Sequence, residues 1–448
     1  MSRAFSYLIA ALTQVLTAST VFAVDQPPTA EEQAAAVAKQ WNFHGQATGV
    51  VQSNAPFRAP YSGDNSLRPQ GETRETVSIT GSLGLRLWPA GELYINPEIF
   101  QGFGLAQTHG LGGFSNGEAQ KGGTRIPQYY MARLFYRHTF GFGGETEAVA
   151  DDFNQLAGIR DVSRLTLTVG RFAVNDIFDQ NAYAHDARTQ FLNYAMWEAG
   201  AFDYAADQKG YGAGAVLDFN QKNWAFRTGY FLMPIKSNAQ HLGWNLGEKA
   251  QFVNELEIRY QLFSQPGILR TLGWAARANA GSYSEALADP QFDPENSIVA
   301  TQRVRTQLGY AFNLEQALTG DLGLFARWSW RDAKSEIMSW ADMDRSLAAG
   351  LSLKGTAWQR PDDRVGLGAA VNGLSPDHRA YTAAGGLGVT IGDGRLTYSG
   401  EQAIETFYSI GLSGHNSLTF DYQYITNPAY NSDRGPVSLF AVRLHGEF

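Results

Sequence analysis

The stretch QFVNELEIRYQLF, residues 251–263, sets Phe252, Leu256, Ile258, Tyr260 and Leu262 on one parity and Val253, Glu255, Glu257, Arg259 and Gln261 on the other. A period of two belongs to a β-strand, and no helix produces it. One face is greasy and the other carries two acids and an arginine. In a two-layer sheet the greasy face would form a core. In a closed barrel crossing a membrane it would meet lipid while the charged face lined water.

The pattern recurs down the chain. In WAFRTGYFL (224–232) Trp224, Phe226, Tyr230 and Leu232 oppose Arg227, and in TLGWAARANA (271–280) Leu272, Trp274, Ala276 and Ala278 oppose Arg277 and Asn279. In TQRVRTQLGYAF (301–312) Val304, Leu308, Tyr310 and Phe312 oppose Arg303, Arg305 and Gln307, and in DLGLFARWSWR (321–331) Leu322, Leu324, Trp328 and Trp330 oppose Arg327 and Arg331. A soluble sandwich would lose part of this alternation in its core, so the repetition favours the barrel.

Composition agrees. The 448 residues contain no charge block, low-complexity tract or Pro/Ser-rich linker in the middle, which favours one large domain over the about three suggested by length. The 48 glycines, 13% aromatic residues and only 17% charged residues suit many strands, tight turns and an aromatic exterior. The opening residues, MSRAFSYLIAALTQVLTASTVFA, read as a secretory signal over 1–23. Arg3 is its charged start, an apolar run follows, and Val21-Phe22-Ala23 forms a small-residue cleavage site. Its loss removes one positive charge from a formal balance of −8, which disfavours a nucleic-acid partner. With no cysteine in an exported chain, stability must come from packing and sheet closure, and thiolate metal sites are excluded.

Connections sharpen the topology. Short links, NQKN (220–223), WPAG (88–91) and SGHN (413–416), alternate with long polar loops at 53–72, 172–210 and 281–299. Counting every alternating stretch gives seventeen strands, which cannot close with all neighbours antiparallel. The weakest stretch is the Gly/Ala-rich AYTAAGGLGVT, and merging 372–400 into one loop leaves sixteen. The predicted fold is all-β: a 16-stranded antiparallel transmembrane β-barrel over 41–448, with short periplasmic turns and long extracellular loops. Segment 24–40 precedes it as a periplasmic piece with a short helix from about Thr29. The terminal strand, PVSLFAVRLHGEF (436–448), aligns Phe440, Val442, Leu444 and Gly446 with Phe448. A terminal aromatic on such a strand resembles the signal read by outer-membrane assembly machinery.

Three segments resemble the carbohydrate-selective porins, the OprB-like family of Gram-negative outer membranes. They are GRFAVNDIFDQNAYAHDARTQFLNYAMWEAGAFDYAADQKGYGAGAV (170–216), YTAAGGLGVTIGDG (381–394) and DYQYITNPAYNSDRGPVSLFAVRLHGEF (421–448). The first looks like that family's long third-loop region, and the likeness runs from about Trp41 to the end. It implies a sixteen-stranded barrel passing monosaccharides such as glucose, and related small sugars, down their gradients without an energy source, and no cofactor is expected. The implied partners are small sugars, outer-membrane lipid and the assembly machinery, and a homotrimer is one candidate assembly.

Parity nominates the inward, pore-lining and sugar-contacting side chains: Arg74, Arg86, Glu98, Arg133, Arg137, Arg227, Glu255, Glu257, Arg259, Arg277, Arg303, Arg305, Arg327 and Arg331. Trp274, Leu308, Trp328 and Tyr422 are expected against lipid, with Asp421 inward. The loop 172–210 carries Asn175, Asp176, Asp179, Asn181, His185, Asp186, Arg188 and Asn193 among Phe178, Tyr183, Phe191 and Tyr194. A loop meeting only water would not need those aromatics, so it is expected to enter the barrel and form the constriction. Wall arginines opposite it should make the pore tolerant of anions. His185 beside Asp186 has no second ligand at a fixed spacing, so a metal is not expected. The rival readings are a general or ion-preferring porin, a structural or adhesive barrel, whose loops would be expected to repeat, and a barrel phospholipase or protease. The enzyme is disfavoured by the absence of a GxSxG element.

Overall fold

The computed structural model describes residues 39–413 and 415–448, so the expected signal 1–23 and the helix from Thr29 lie outside the described residues. Strands β1 (Trp41–Asn54), β2 (Glu72–Trp88), β3 (Gly91–Gly102) and β4 (Thr124–Gly141) are followed by a small antiparallel pair, β5 (Thr146–Val149) and β6 (Gly158–Asp161). The wall continues through β7 (Arg164–Phe172), β8 (Gly212–Asn220), β9 (Trp224–Leu232), β10 (Ala250–Leu262), β11 (Gln265–Ala280) and β12 (Arg303–Ala317). It ends with β13 (Leu322–Arg331), β14 (Arg345–Gly355), β15 (Arg360–Gly373), β16 (Glu401–Ser413), β17 (Asn416–Thr426) and β18 (Val437–Glu447). All but β5 and β6 pair in chain order, and β1 pairs with β18, so sixteen antiparallel strands close on themselves. Closure leaves no free edge in lipid, where an unpaired backbone amide would cost several kcal/mol.

Glycine doublets and alanines kept 374–400 out of the wall. Its helix α4 (Pro376–Ala383) starts where the Ser375 side chain accepts from the His378 amide, with proline in the first turn. The short-turn end has one exception. Between β4 and β7 the chain makes an excursion, 142–163, that carries β5 and β6. At the opposite end, α4 packs with α2 (Tyr283–Leu287) and α3 (Ser297–Ala300) through Tyr283, Ile298 and Tyr381.

Outward residues are apolar and exposed, among them Leu308 at 51% and Trp328 at 40%, and Tyr310, Phe312, Trp328 and Trp330 form an aromatic cluster on β12 and β13. Tyr422 also faces outward, with its hydroxyl 3.1 Å from Ser438 Oγ. Strand β11 departs from the expected register. Arg270 pairs with Glu257 and Leu272 with Glu255, which turns Trp274 inward and Arg277 outward. The physical reason is that the barrel interior is not all water. Trp274 is only 5% exposed and packs on Phe202 of the inserted loop, with ring centres 4.8 Å apart. The greasy face of this strand therefore meets protein, while the outward face is made of Leu269, Thr271, Gly273 and Ala275. Arg277, near the long-loop end of the strand, can extend toward lipid head groups.

The register predicts contrasting substitutions. Leu367→Arg, outward at the middle of β15, should destabilise the folded barrel by about 2–4 kcal/mol. Trp274→Ala should leave membrane insertion intact and raise single-channel conductance by loosening the loop inside. Urea unfolding in vesicles and planar-bilayer recording measure the two effects.

Candidate permeation site

Residues 173–211, with the short helix α1 (Tyr194–Trp197), lie inside the barrel. Phe178, Phe191, Tyr194, Trp197, Phe202 and Tyr204 of this loop are buried with Phe172, Phe231, Trp274, Phe325 and Phe407 of the wall in one apolar cluster. Phe191 meets Phe325 and Phe407 with ring centres 5.3 and 5.0 Å away. Wall glycine makes this seating possible, because a Cβ at Gly323 would overlap the Tyr183 ring. A second loop, 103–123, also folds inward, and its Phe114 lies 4.7 Å from Tyr194.

Wall side chains grip the backbone of both loops. Glu255 accepts from the Asp179 amide (2.8 Å), and Glu315 accepts from Ala182 (2.7 Å). Glu405 accepts from the Leu192 and Asn193 amides, and Glu401 from Gly112, Gly113 and Ala429. Arginines take the carbonyls. Arg327 donates to Met196 O (2.9 Å) and Asp179 O, and Arg443 donates to Ala187 O and Gln190 O. Arg327 also ion-pairs with Asp179 at 3.1 Å, with side chains 2% and 1% exposed. A buried carboxylate or guanidinium left without such partners would cost several kcal/mol.

This seating changes the role of several nominated residues. Arg327, Glu255 and Glu257 face inward but are sealed against the loop or their neighbours, and Arg331 is sealed by Asp344 at 2.6 Å. They hold the inserted loop and do not border the open chambers, because protein, not solvent, satisfies them. Asp421 is likewise inward and buried. Asp179, Asn181 and Asn193 are buried anchors, with Asn181 donating to Asn313 and Asn193 to Gln423. Glu98 is enclosed with Lys121 and Arg188, both at 3.1 Å. Arg303 and Arg305 sit at the rim on Glu285 of α2, whose carboxyl is lowered by hydrogen bonds from Arg305 and Arg303 despite some desolvation. Arg74 pairs with Glu72 near the long-loop end, and Arg86 pairs with Glu92 at the other.

The nominated residues that remain along open space are Arg133, Arg137, Arg227, Arg259, Asn175, Asp176, His185, Asp186 and Arg188. Two chambers contain them. One of about 490 Å3 lies against Lys121, Arg133, Arg188, Lys209 and Tyr211; the other, of about 590 Å3, lies against Arg137, Arg160, Arg164, Asn220 and Arg259. Both volumes fall in the range of roughly 300–1,000 Å3 typical of small-molecule sites. Charges facing the chambers are mostly paired: Arg133 with Asp176 at 2.6 Å, and Arg227 with Glu255 at 2.7 Å and Glu257 at 2.9 Å. His185 Nε2 lies 3.0 Å from Gln180 Nε2.

Sequence reasoning missed Glu315, Glu401, Glu405 and Arg443, all on the inward parity of their strands, where the same alternation could have found them. It also missed loop 103–123, whose glycine-rich GLGGFSNGEAQKGG run was the available signal.

Comparison with known proteins gives one family. The model of the carbohydrate-selective porin, OprB family, matches residues 64–448. A Chlamydia caviae protein named porin AaxA is 21% identical over 362 residues, covering 79% of this chain and 69% of its own. Its Chlamydia abortus namesake is 24% identical over 281 residues, covering 62% of this chain and 53% of its own. The chain thus spans between about half and two thirds of the length of these curated relatives. Among solved structures, Pseudomonas putida OprB matches with a TM-score of 0.70 at 15% identity, covering 91% of this chain and 94% of that one. The outer membrane channel DcaP of Acinetobacter baumannii matches at 0.50 and 8% identity, covering 91% and 97%.

The grip on the loop is testable by removing one partner. Arg327→Met leaves the buried Asp179 carboxylate with only the Ala199 amide and Asn313 as donors and should destabilise the loop by about 3–5 kcal/mol, whereas pairing it with Asp179→Asn, which removes the charge and keeps an acceptor for the Ala199 amide, should recover much of that loss. Hydrogen exchange at 179–199 should rise in the single variant and fall back in the double one.

Proposed function

Because the chain belongs to the carbohydrate-selective porin, OprB family, and is an outer-membrane β-barrel, we propose that it lets small neutral sugars, monosaccharides such as glucose, diffuse passively into the periplasm. The observation that carries this reading is the pairing of charge along the chambers. Arg133 and Asp176 pair with each other along the chambers, and Arg227 is neutralised by the sealed Glu255 and Glu257 behind it, so the lining offers donors and acceptors with little uncompensated charge. A hydroxylated solute can there exchange its water hydrogen bonds for protein ones of similar strength, and the near balance lets it leave again. Transport needs no catalytic step and no cofactor. Arg137 supports some tolerance of anions, since it donates to the Asn154 carbonyl and lies over the Tyr94 ring.

Residues 1–23 act in this reading as the export signal. Phe448 serves assembly: its backbone exchanges hydrogen bonds with Gly45 at the β1–β18 seam, and its ring lies 6.2 Å from that of Phe43. Interaction with lipid and assembly machinery follows from the same reading, and so does the option of three associated barrels.

Liposome swelling with a panel of sugars tests the function. Glucose should enter faster than charged solutes of similar size; equal rates would favour a general porin. Trimming 176–193 should raise ion conductance and erase the sugar preference, because the barrel wall alone encloses a wide channel. Phe448→Ala should lower the amount of folded protein in the outer membrane while what folds conducts normally, measured by heat-modifiable mobility and bilayer recording.

A further inference from the structure

The two chambers have six lining residues in common, a shared border or waist, and half of these residues come from the short-turn end. Asp152, Phe153 and Asn154 of the excursion 142–163 border both chambers, facing Asp176, Gln180 and His185 of the inserted loop. Phe153 and Asn154 form the tip of a tight turn, closed by hydrogen bonds between the Asp152 and Gln155 backbones at 3.0 Å in each direction. Asn154 adopts the left-handed conformation at φ +57°, which asparagine tolerates better than most residues. The tip is held from several sides. Arg137 donates to the Asn154 carbonyl (3.0 Å), and Asn42 donates to Gln155 O (2.8 Å) and Asp152 O (3.3 Å). The Leu156 amide donates to the Tyr94 hydroxyl at 3.2 Å.

A fixed turn that carries a half-buried phenylalanine into a polar water path calls for a reason beyond packing. Of the ring contacts, the one to His44 is loose, at 6.3 Å between centres. Across the waist stand a carboxylate, an amide and an imidazole. This pairs an apolar plane with a polar wall, and a pyranose has the matching geometry, with C–H groups on its ring faces and hydroxyls at its edge. We infer that Phe153 is the ring-stacking residue of a sugar subsite at this waist, with Asp176 and Gln180 taking the hydroxyls.

The inference rests on the sugar-channel reading and deepens it. It requires discrimination between a ring and an open chain of the same size, so glucose and its acyclic polyol sorbitol are the probes, applied to the full-length protein in planar bilayers and liposomes. Phe153→Ala should raise ion conductance, which tests the position of the waist independently of any sugar. Block of that current by glucose should weaken about tenfold in Phe153→Ala and in Phe153→Leu. Phe153→Tyr should retain the block, and sorbitol should block all variants alike. Unchanged conductance in Phe153→Ala would overturn the waist. Glucose block preserved in Phe153→Leu would overturn stacking and leave bulk as the only role of the residue. A wild-type channel indifferent to glucose and sorbitol would overturn ring stacking, and the sugar reading would fall separately if glucose also failed to outpace charged solutes in the swelling assay.

Discussion

The structure depends on one constraint: a charge that points into a barrel and is cut off from water must be met by protein. Glu401 and Glu405 on the wall would each be an uncompensated buried carboxylate without the amides of the loops, and Glu255 and Glu315, which also pair with Arg227 and Arg270, take further loop amides. Arg327 and Arg443 would be the matching cations without the carbonyls. Hydrogen bonds to ionised groups contribute about 1.5–3 kcal/mol each, and losing one partner costs more than the bond contributes. The loops in turn have backbone groups that would be orphaned away from solvent. Wall and loop therefore satisfy each other. Aromatic burial against Phe325, Phe407 and Trp274 adds the apolar contribution.

This division of labour explains why so few of the inward charges line the path. Those on β10 to β18 mostly hold protein, and the open space lies on the side of β4 and β7 to β10, where Arg133, Arg137 and Arg259 remain partly accessible. The open space is then bordered by the loops 103–123 and 172–210 from the long-loop end and by one turn from the short-turn end. Its width can be set by small changes in any of these, with the wall unchanged.

Much of the fold was legible because alternation and turn length are local properties. The face of β12, with Leu308 outward and Arg305 inward, follows from two residues in sequence. Strand β11 was misread because parity reports only which face is apolar, and Trp274 is apolar toward a loop more than sixty residues earlier in the chain. The aromatics of 172–210 signalled insertion, but nothing local distinguishes Asp179, which is buried on Arg327, from Asp176, which faces a chamber. That difference is set by tertiary position. The turn at Phe153 was illegible for the same reason, since its role arises only when the excursion folds back into the barrel.

The inserted loop is fixed with one edge toward water and the other sealed on the wall. The chain has no cysteine, so single cysteines report accessibility without background. The direct measurement is the reaction of Gln180→Cys and Ala199→Cys with a small charged thiol reagent during single-channel recording. Gln180 borders both chambers, whereas Ala199 is buried, with its amide donating to Asp179 at 2.7 Å. Rapid modification and a stepwise fall in current are expected at position 180, with none at 199. Equal reactivity at both positions, or no change in current at 180, would contradict this seating of the loop.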